Sequence, residues 1–547
     1  MKLRNQETFS CDVLVIGGGG AGLRSAIAAK SRGADVLLIS KFRAGYASNT
    51  YISKSVIAAT GYGIPEDKGI VHAADTIKGG RFLNDQSMVV KVAELAGSEV
   101  SFLRECGVNF GMTGDKLNLL HTPGHLYPRH VYCDSWVGRD LVLPLKRSAT
   151  QAGIRFVEHA FVTRLFANRD RIAGAAAVTG DGKFLILKAK TIILATGGYG
   201  QVFLNTNNAP GITGDGQALC YDLGIPLMDM EFVQFYPTAM GKRGRRLLLY
   251  EKLLTLSEVV LRNEDGEDIL RRNGFSDAKY LTRDQLAQIV MKEIRGGSPA
   301  NGGLIMDLEA LSQDAARQLS QILPSRWWKG KKTYVVAPTA HFCMGGIVTD
   351  KSGGTSLPGL FAVGEVTAGV HGANRLGGNA LAEIFAMGSL VGEKAVKNAL
   401  GTGPSPLPGK AIEEEKSRLE DSFSVDGLHP KELIHELNSL MWDKAGVIRK
   451  RNELEEALVR IQAPWPHTSI LTPPDLMNKL EFEHMRIIAE MVCRSALERT
   501  ESRGSHFRVD HPEEDNDQWL KNIVLLKRKS GMTLEKRPVR LDIISPE

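Results

Sequence analysis

Apolar runs that end in glycine recur at distant points along the chain. DVLVIGGGGAGL (12–23) carries the first run, TIILATGGYG (191–200) the second and GLFAVGEV (359–366) the third. A short apolar run bounded by glycine is typical of a buried β-strand. The helix-like stretch RSAIAAKSRG and a further apolar run, ADVLLIS (34–40), follow the first of them. The pattern predicts an α/β fold in which insertions separate the strands of one domain.

Helical periodicity replaces these runs after residue 400. GTGPSPLPGK (401–410) is rich in glycine and proline, which predicts a linker. Residues 411–423, 430–446 and 452–462 have apolar positions at helical spacing, and we expect their charged residues to lie on solvated helix faces. A helical domain is therefore predicted beyond the linker.

The glycines of the first run have GxGxxG spacing, and each has a physical role. Gly17 permits a tight turn, Gly19 lets the backbone approach a pyrophosphate, and Gly22 lets helix and strand pack closely. The helix N-terminus then faces the anion. The second strand ends in Ser40 and Lys41 instead of the carboxylate that holds the ribose of NAD. We therefore expect a flavoprotein whose FAD domain is interrupted by an insertion.

Composition and charge exclude several classes of partner. The chain has 547 residues, 24% of them charged, and its net charge of +6 is not gathered into a basic stripe, so we expect no nucleic-acid binding. Anionic substrates remain compatible with this charge.

The N-terminus lacks a signal-peptide pattern, and no apolar window reaches the roughly 18 residues of a membrane helix. We expect a cytoplasmic protein of roughly two to four domains.

The cysteines give no sign of a metal centre. The chain has six cysteines, which lie far apart, with no CxxC motif and no Cys/His pair at metal-ligand spacing. We expect free buried thiols in a reducing compartment, with no metal site and no iron–sulfur cluster in this chain.

Separated motifs in a fixed order identify a family. They are DTIKGGRFLND (75–85), ATGGYG (195–200), TGDGQAL (213–219), EFVQFYPT (231–238), APTAHFCMGGI (337–347), GLFAVGEVTAGVHGANRLGGNAL (359–381) and RTESRGSHFRVDHP (499–512). By these motifs the chain, from about residue 10 to residue 525, resembles the flavoprotein subunits of succinate dehydrogenase and fumarate reductase. Relatives of that family are L-aspartate oxidase and the adenylylsulfate reductase alpha subunit.

The resemblance implies a layout for the chain. It is an α/β fold with a Rossmann-like FAD-binding domain (1–236 and 345–400), an inserted α+β capping domain (237–344) and a C-terminal helical domain (401–525). Residues 526–547 are expected to form a tail. The linker at 401–410 agrees independently with the last domain boundary.

The resemblance also implies which residues contact FAD. The predicted contacts are Gly17, Gly19, Gly22, Ser40, Lys41, Gly79, Asp215 and Glu365. A turn residue and a helix cap are the plainer interpretations of Asp215 and Glu365. Many family members tether FAD through a histidine after the second strand, but residues 41–61 contain none. We expect non-covalent FAD, which argues against a dedicated succinate dehydrogenase.

The substrate residues of the family are partly preserved. The resemblance implies that His341 in APTAHFCMGG and Arg375 in HGANRLGGN bind a substrate carboxylate. A core histidine and a structural salt bridge are the plainer alternatives. Tyr236 stands where the family motif QFHP has another histidine. A tyrosine keeps a hydroxyl donor but does not become a cation near pH 7.

A second departure concerns the proton donor. The family has an arginine in a stretch of the type TEGxRGEG, eight residues before an NxDGE turn, and the same count here reaches Thr255. We expect that arginine to be absent and its loss to cripple fumarate reduction unless another group substitutes. Arg262 is out of register, and GKRGRR (241–246) reads as an exposed loop. The candidate replacements are Tyr236, Tyr250, Lys252 and Glu258.

Polar clusters outside these motifs have alternative interpretations. His121, His125, Arg129 and His130 fit no metal template, and they either face the substrate beside the flavin or form a polar loop under the capping domain. In ESRGSHFRVD (501–510) we expect Arg503, His506 and Arg508 to form structural ion pairs.

The sequence predicts an FAD-dependent oxidoreductase, the flavoprotein subunit of a complex like succinate dehydrogenase or fumarate reductase. Its FAD would exchange hydride with a carboxylate-bearing organic substrate other than succinate or fumarate and pass electrons to an iron–sulfur subunit. An electron-relay flavoprotein without substrate chemistry is the alternative. A nucleotide substrate, as in adenylylsulfate reductase, and aspartate oxidation fit less well. We expect any membrane contact, at the inner face, to occur only through a partner subunit.

Overall fold

The computed structural model describes residues 3–168, 170–248, 259–276, 281–297, 302–322, 333–403 and 405–546. Its strands are β1 (Arg4–Ile16), β2 (Val36–Ile39), β3 (Val56–Ala58), β4 (Met112–Thr113), β5 (Lys116–Leu117), β6 (His130–Tyr132), β7 (Arg155–Val157), β8 (Ala160–Asn168), β9 (Arg171–Thr179), β10 (Lys183–Leu194), β11 (Leu227–Met228), β12 (Val233–Lys242), β13 (Arg245–Leu248), β14 (Val260–Arg262), β15 (Leu304–Asp307), β16 (Thr333–Cys343), β17 (Gly346–Ile347), β18 (Leu360–Ala362), β19 (Lys521–Arg528) and β20 (Gly531–Pro538). Its helices are α1 (Gly20–Ser31), α2 (Asn49–Ile52), α3 (Gly69–Gly79), α4 (Gln86–Glu105), α5 (Arg139–Gln151), α6 (Asp215–Asp222), α7 (Ile269–Arg272), α8 (Arg283–Arg295), α9 (Gln313–Ile322), α10 (Asn379–Leu400), α11 (Gly409–Asp421), α12 (Pro430–Ala445), α13 (Arg451–Gln462), α14 (Pro473–Glu498) and α15 (Asn516–Trp519).

One sheet brings the glycine-ended runs together. Its order is β7-β2-β1-β10-β9-β8, and β18 pairs with the end of β10. Strands β7, β2, β1, β10 and β18 are parallel, so the predicted runs at β1, β2, β10 and β18 end at the same edge. Helix α10 lies close to α1 because Gly392 has no side chain; a Cβ there would meet the Ser25 carbonyl oxygen at 2.4 Å. The predicted α/β domain is confirmed.

The capping region is an antiparallel sheet with helices. Its order is β13-β12-β16-β15-β14, and β12 and β16 connect it to the FAD-binding part. The predicted boundaries at 236/237 and 344/345 fall inside β12 and directly after β16, and they stay predictions. The expectation of an exposed loop at 241–246 was wrong in part, because β12 and β13 form a hairpin there. Arg243, in the turn, is exposed and pairs with Asp443 at 2.8 Å.

The C-terminal region combines helices with a hairpin. The helices predicted at 411–423, 430–446 and 452–462 are confirmed as α11, α12 and α13. The long helix α14 and the hairpin β19–β20 were not predicted. The predicted boundary between helical domain and tail falls inside β19, which pairs with β11 of the FAD-binding part. Residues after the hairpin also dock, because the Ile543 and Ile544 amides donate to Gln86.

Buried arginines fix the end of α14. Arg499 donates to Glu231 at 2.6 Å, and Arg503 donates to Glu501 at 2.8 Å. Arg508 pairs with Asp510, and His506 lies 2.6 Å from an Arg449 nitrogen. The predicted structural ion pairs of Arg503 and Arg508 are confirmed. The ion pair predicted for His506 is wrong, because its close neighbour is the cationic Arg449 and burial lowers the pKa of His506 well below its ordinary value.

The cysteines are unpaired in the described part of the chain. Cys133, Cys220, Cys343 and Cys493 are buried, whereas Cys11 and Cys106 are only half-buried. Between residues 3 and 546, within the described ranges, no helix is long and apolar enough to cross a membrane. The same ranges contain no cluster of His, Cys, Asp and Glu side chains that could hold a metal ion.

Candidate active site

A long cavity runs from the first glycine turn to the capping sheet. At one end, the glycine end, it is lined by residues 17–20, 39–43 and Asp215. At the other, the arginine end, it is lined by Tyr236, Arg283, His341 and Arg375. Residues of both parallel-sheet and capping regions therefore face one space.

The turn after β1 requires glycine. Gly17 has a φ of +120°, and a Cβ there would lie 2.1 Å from the Ala195 carbonyl oxygen. Helix α1 begins at Gly20 with no side-chain cap and no acidic residue in its first turn. Its N–H groups and the positive end of its dipole thus face the cavity, an arrangement suited to a pyrophosphate.

Not every predicted FAD contact lines the cavity. Gly22 lies in the first turn of α1, where a Cβ would be 1.9 Å from the Gly17 carbonyl oxygen, so this glycine allows helix and strand to pack. Gly79 ends α3, and a Cβ there would lie 2.6 Å from the Leu376 side chain. These two glycines support the walls of the cavity instead of forming them.

Lys41 is held by carboxylates from two domains. Its ammonium lies 2.7 Å from Asp215 and 2.7 Å from Glu481 on α14. Asp215 also accepts from Thr213 at 2.8 Å and lies 3.0 Å from His484 Nδ1. Burial alone would raise the pKa of Asp215, but Lys41 and His484 outweigh it and keep that pKa below its ordinary value. At the glycine end, Lys41 is thus paired with two carboxylates of the protein itself.

The segment after β2 lines the middle of the cavity. Ser40 Oγ donates to the Phe42 carbonyl at 2.5 Å. Asn49 Nδ2 donates to Glu365 at 2.9 Å, and the other Glu365 oxygen accepts from the Cys343 amide at 3.1 Å. Burial raises the pKa of Glu365 to about 7. All of residues 41–61 are described, and the polar side chains they contribute to the wall include no histidine.

Arg375 is fixed from several sides at the arginine end. Its Nη2 donates to Gln234 Oε1 at 2.8 Å and its Nη1 donates to the Leu376 carbonyl at 3.1 Å. Gln234 in turn donates to the Arg375 carbonyl at 2.9 Å. The guanidinium lies 4.8 Å from the ring centre of Phe342. Its orientation is therefore set before any ligand binds.

His341 and Tyr236 lie side by side on β16 and β12. Their ring centres are 5.5 Å apart in an edge-to-face arrangement. The Asn207 side chain lies 3.1 Å from His341 Nδ1. Burial, with Arg375 and Arg283 adding to it, lowers the pKa of His341 well below its ordinary value. His341 is thus a neutral imidazole in this cavity.

Arg283 is a cavity residue that the sequence analysis missed. It is the first residue of α8, after the capping-box residue Thr282, and its guanidinium lies 5.5 Å from the ring centre of Tyr236. A cation at a helix N-terminus opposes the helix dipole, which was a signal in the sequence. Thr255 and the candidate acids Tyr250, Lys252 and Glu258 lie outside the described residues; Arg262 pairs with Asp307 at 2.9 Å.

The histidine cluster packs behind the arginine end. His125 and His130 have ring centres 4.4 Å apart, and His130 Nε2 lies 3.0 Å from the Gly377 carbonyl and 3.1 Å from Thr122 Oγ1. Thr122 and Gly377 line the cavity, but neither histidine does. Arg129 is buried between Asp67 and Asp75, at 2.8 Å from each. His121 is exposed.

Comparison with known proteins identifies the family of the chain. A family profile described as "FAD binding domain" matches residues 12–381, and one described as "Fumarate reductase flavoprotein C-term" matches residues 434–547. The chain is 35% identical to a protein of Methanothermobacter marburgensis that is named as one of the subunits of fumarate reductase (CoM/CoB). That alignment extends over 549 positions and covers 96% of this chain and 98% of that protein.

Solved structures of the same architecture are similar along the whole chain. Escherichia coli quinol fumarate reductase FrdA is 28% identical, with a TM-score of 0.89 and coverage of 99% of this chain and 98% of that one. Mycobacterium smegmatis Sdh1 is 30% identical, with a TM-score of 0.89 and coverage of 98% and 95%. The protein belongs to the FAD-dependent oxidoreductase family of fumarate reductase and succinate dehydrogenase flavoprotein subunits.

Proposed function

We propose that this flavoprotein exchanges hydride between FAD and a carboxylate-bearing organic acid bound at the arginine end. The observation that carries the proposal is that Arg283, Arg375, His341 and Tyr236 line one end of the cavity whose other end has the GxGxxG turn. FAD supplies the two-electron hydride chemistry, whereas the protein binds, orients and protonates the substrate.

Arg375 is proposed to bind the carboxylate. Its guanidinium stays protonated at any working pH and is able to bind a carboxylate through two parallel hydrogen bonds. Gln234 and the Leu376 carbonyl hold it in one orientation. Such fixed positioning orients the substrate before reaction.

Arg283 is proposed to deliver the proton. When hydride adds to one carbon of a polarised C=C bond, a proton must reach the other carbon. Arg283 comes from the capping region and therefore lies opposite the edge of the parallel sheet. Sequence counting to Thr255 had suggested that no arginine remained for this step. Because Arg283 lines the same cavity, that argument against fumarate loses its force.

Among the residues of the arginine end, Tyr236 is the reason to expect an acid other than succinate or fumarate. Because His341 is neutral, Arg283 and Arg375 are the positively charged residues among the four that define the arginine end. A tyrosine adds bulk and a hydroxyl where the family motif QFHP has a histidine. Since the relative from Methanothermobacter marburgensis is named as part of a fumarate reductase (CoM/CoB), fumarate is the first substrate to test.

FAD is proposed to be held without a covalent bond and to exchange electrons with a separate protein. The glycine turn, α1, Ser40, Asn49 and Glu365 would hold FAD along the cavity. Relatives named as flavoprotein subunits support the proposal that this chain is one subunit of a complex. An iron–sulfur subunit is the proposed electron partner, and any membrane contact is proposed to occur through partners.

Acid precipitation tests the cofactor part of the proposal. The purified chain is expected to be yellow, and acid denaturation should release all of its flavin as free FAD. Flavin that stays in the pellet would contradict non-covalent binding.

Oxidation of reduced viologen tests the reaction. Fumarate and a panel of α,β-unsaturated mono- and dicarboxylic acids are each offered to the enzyme, and the flavin spectrum is titrated with the same acids. At least one acid should perturb the spectrum with saturation, and Arg375→Ala should abolish that effect while FAD content is retained. If no acid perturbs the flavin or is turned over, the electron-relay alternative replaces the proposal. Fumarate turnover at a rate usual for this family would contradict the expectation drawn from Tyr236.

A further inference from the structure

Lys54 is a cation of the cavity wall that the proposed reaction does not use. It lies between α2 and β3, lines the cavity and is half-buried. We propose that Lys54 faces the redox-active ring of bound FAD and raises the reduction potential of that flavin. The inference requires FAD binding and is independent of which acid reacts.

The chemical surroundings of Lys54 differ from those of Lys41. Lys41 is paired with two carboxylates, whereas no hydrogen bond or ion pair joins the Lys54 ammonium to a residue in the described part of the chain. Burial lowers the pKa of Lys54 below its ordinary value, with no neighbouring carboxylate raising it. A cation that loses hydration without a protein partner is stabilised by an anionic ligand.

Backbone contacts indicate that Lys54 lies toward the arginine end. Strand β3 begins two residues later at Val56, which itself lines the cavity. The Ala58 amide donates to the Gly378 carbonyl at 3.2 Å. Gly377 and Gly378 line the cavity directly after the Arg375–Leu376 segment. The wall that contains Lys54 is thus continuous with the wall that contains Arg375.

The backbone around Lys54 is held rigidly. Ser53 accepts from the Gly138 amide at 2.9 Å through its carbonyl and from the Ser55 amide at 3.2 Å through its hydroxyl. Ser55 is fully buried and has a φ of +56°, an uncommon conformation for a residue with a side chain. The position of Lys54 relative to the cavity is therefore set by the fold.

A cation beside the ring favours reduced FAD. The ring gains electrons on reduction and becomes more negative, so a nearby positive charge stabilises the reduced form more than the oxidised form. Away from bulk water this difference is larger, because the effective dielectric constant is lower. Charge close to the reactive ring nitrogens is one of the means by which proteins tune flavins.

Potentiometry of the substrate-free holoprotein tests the inference. Lys54→Met should lower the reduction potential so that reduced FAD is disfavoured about tenfold relative to oxidised FAD, or about 30 mV for a two-electron couple. Lys54→Arg keeps the charge and should stay close to the natural protein. Lys410→Met removes a lysine whose side chain is 92% exposed and should leave the potential unchanged.

The controls separate this role from two others. Lys54→Gln is measured in parallel, and FAD content by acid release is determined for each variant, so that a folding defect in one does not decide the outcome. An unchanged potential in the FAD-loaded Met and Gln variants would overturn the proposal. The proposal would also be overturned if the potential were unchanged and more acid were needed to perturb the flavin spectrum, because Lys54 would then bind the substrate.

Discussion

The two ends of the cavity differ in the charged residues that line them and in the partners of those residues. At the glycine end Lys41 is matched by Asp215 and Glu481, which come from the FAD-binding part and from α14. At the arginine end Arg283 and Arg375 lie beside a neutral histidine and a tyrosine. Among the described residues that line the whole cavity, Asp215 and Glu365 are the acidic ones.

This difference corresponds to two roles: the glycine end is proposed to hold the cofactor, and the arginine end is proposed to bind an anionic substrate. The ion pairs of Lys41 at the glycine end connect α14 to the wall of the cavity. The two arginines at the arginine end are suited to bind a carboxylate, as expected for a functional site. Removing or altering one charge or donor at a time shows which of the two roles it has.

Arg283→Gln is expected to have the largest effect. Loss of a general acid lowers turnover by about 10²- to 10⁴-fold, while the acid should still perturb the flavin spectrum through Arg375. Steady-state kinetics beside spectral titration measure the two separately. Arg295→Gln, at the other end of α8, is the matched control and should retain turnover. Near-normal turnover by Arg283→Gln would assign the proton to another group.

Lys41→Met tests the glycine end. It leaves Asp215 and Glu481 without their shared cation, and removing one partner of a buried pair costs about 3–5 kcal/mol. The expected result is a lower unfolding midpoint and weaker FAD binding, partly restored by adding Asp215→Asn. Lys146→Met breaks the pair with Glu158, which is more exposed, and serves as the control with a smaller loss. Equal losses in both variants would remove the distinction.

Glu365→Gln gives a pH-dependent gain in stability. Burial raises the pKa of Glu365 from 4.5 to about 7, so the folded protein keeps a proton that the unfolded chain releases. The contribution of Glu365 to the free energy of unfolding of the natural protein therefore falls as the pH rises from 4.5 to about 7. Above pH 7 this contribution is constant. The advantage of the Gln variant should grow across this window to about 3 kcal/mol. Unfolding midpoints of both apoproteins from pH 5 to 8 measure it; a constant difference contradicts the assignment.

Tyr236→Phe should have the smallest effect. Loss of one neutral hydrogen bond costs about 0.5–1.5 kcal/mol, or roughly two- to tenfold in apparent affinity for the acid, with little change in kcat. Tyr62→Phe removes a hydroxyl that donates to the Gly97 carbonyl away from the cavity, and its affinity for the acid should be normal. If the Phe variant binds the acid as well as the natural protein, the tyrosine acts through its bulk.

Local patterns predicted the strands and the glycine turn because their causes are local. Val13–Ile16 is apolar because the strand is covered on both faces, and Gly17 follows because the turn requires positive φ. The same holds for the helices α11 to α13, whose apolar spacing reflects one buried face each. The hairpin β19–β20 escaped prediction, although β19 pairs locally with β20 along its whole length; its place at the edge of β11, almost 300 positions earlier, depends on tertiary packing.

Arg283 was missed because no short motif connects it to the site. Its side chain reaches the cavity only because α8 packs on β12, so its role depends on how the capping sheet folds over the FAD-binding part. Counting residues back from a turn cannot supply that information. For Gly79 a family motif predicts a cofactor contact, and this stays a prediction; the structure shows that a Cβ there would meet the Leu376 side chain.

The sequence by itself determined the family, the FAD fold and the absence of a histidine in residues 41–61, because each of these depends on residues that are contiguous in the chain. Tertiary structure alone decided that Lys41 is neutralised by a carboxylate of α14, that Lys54 is not paired within the described chain, and that Arg283 joins Arg375. The physical reason is that a charge acts through distance and dielectric surroundings, and both are set only when separate segments pack together.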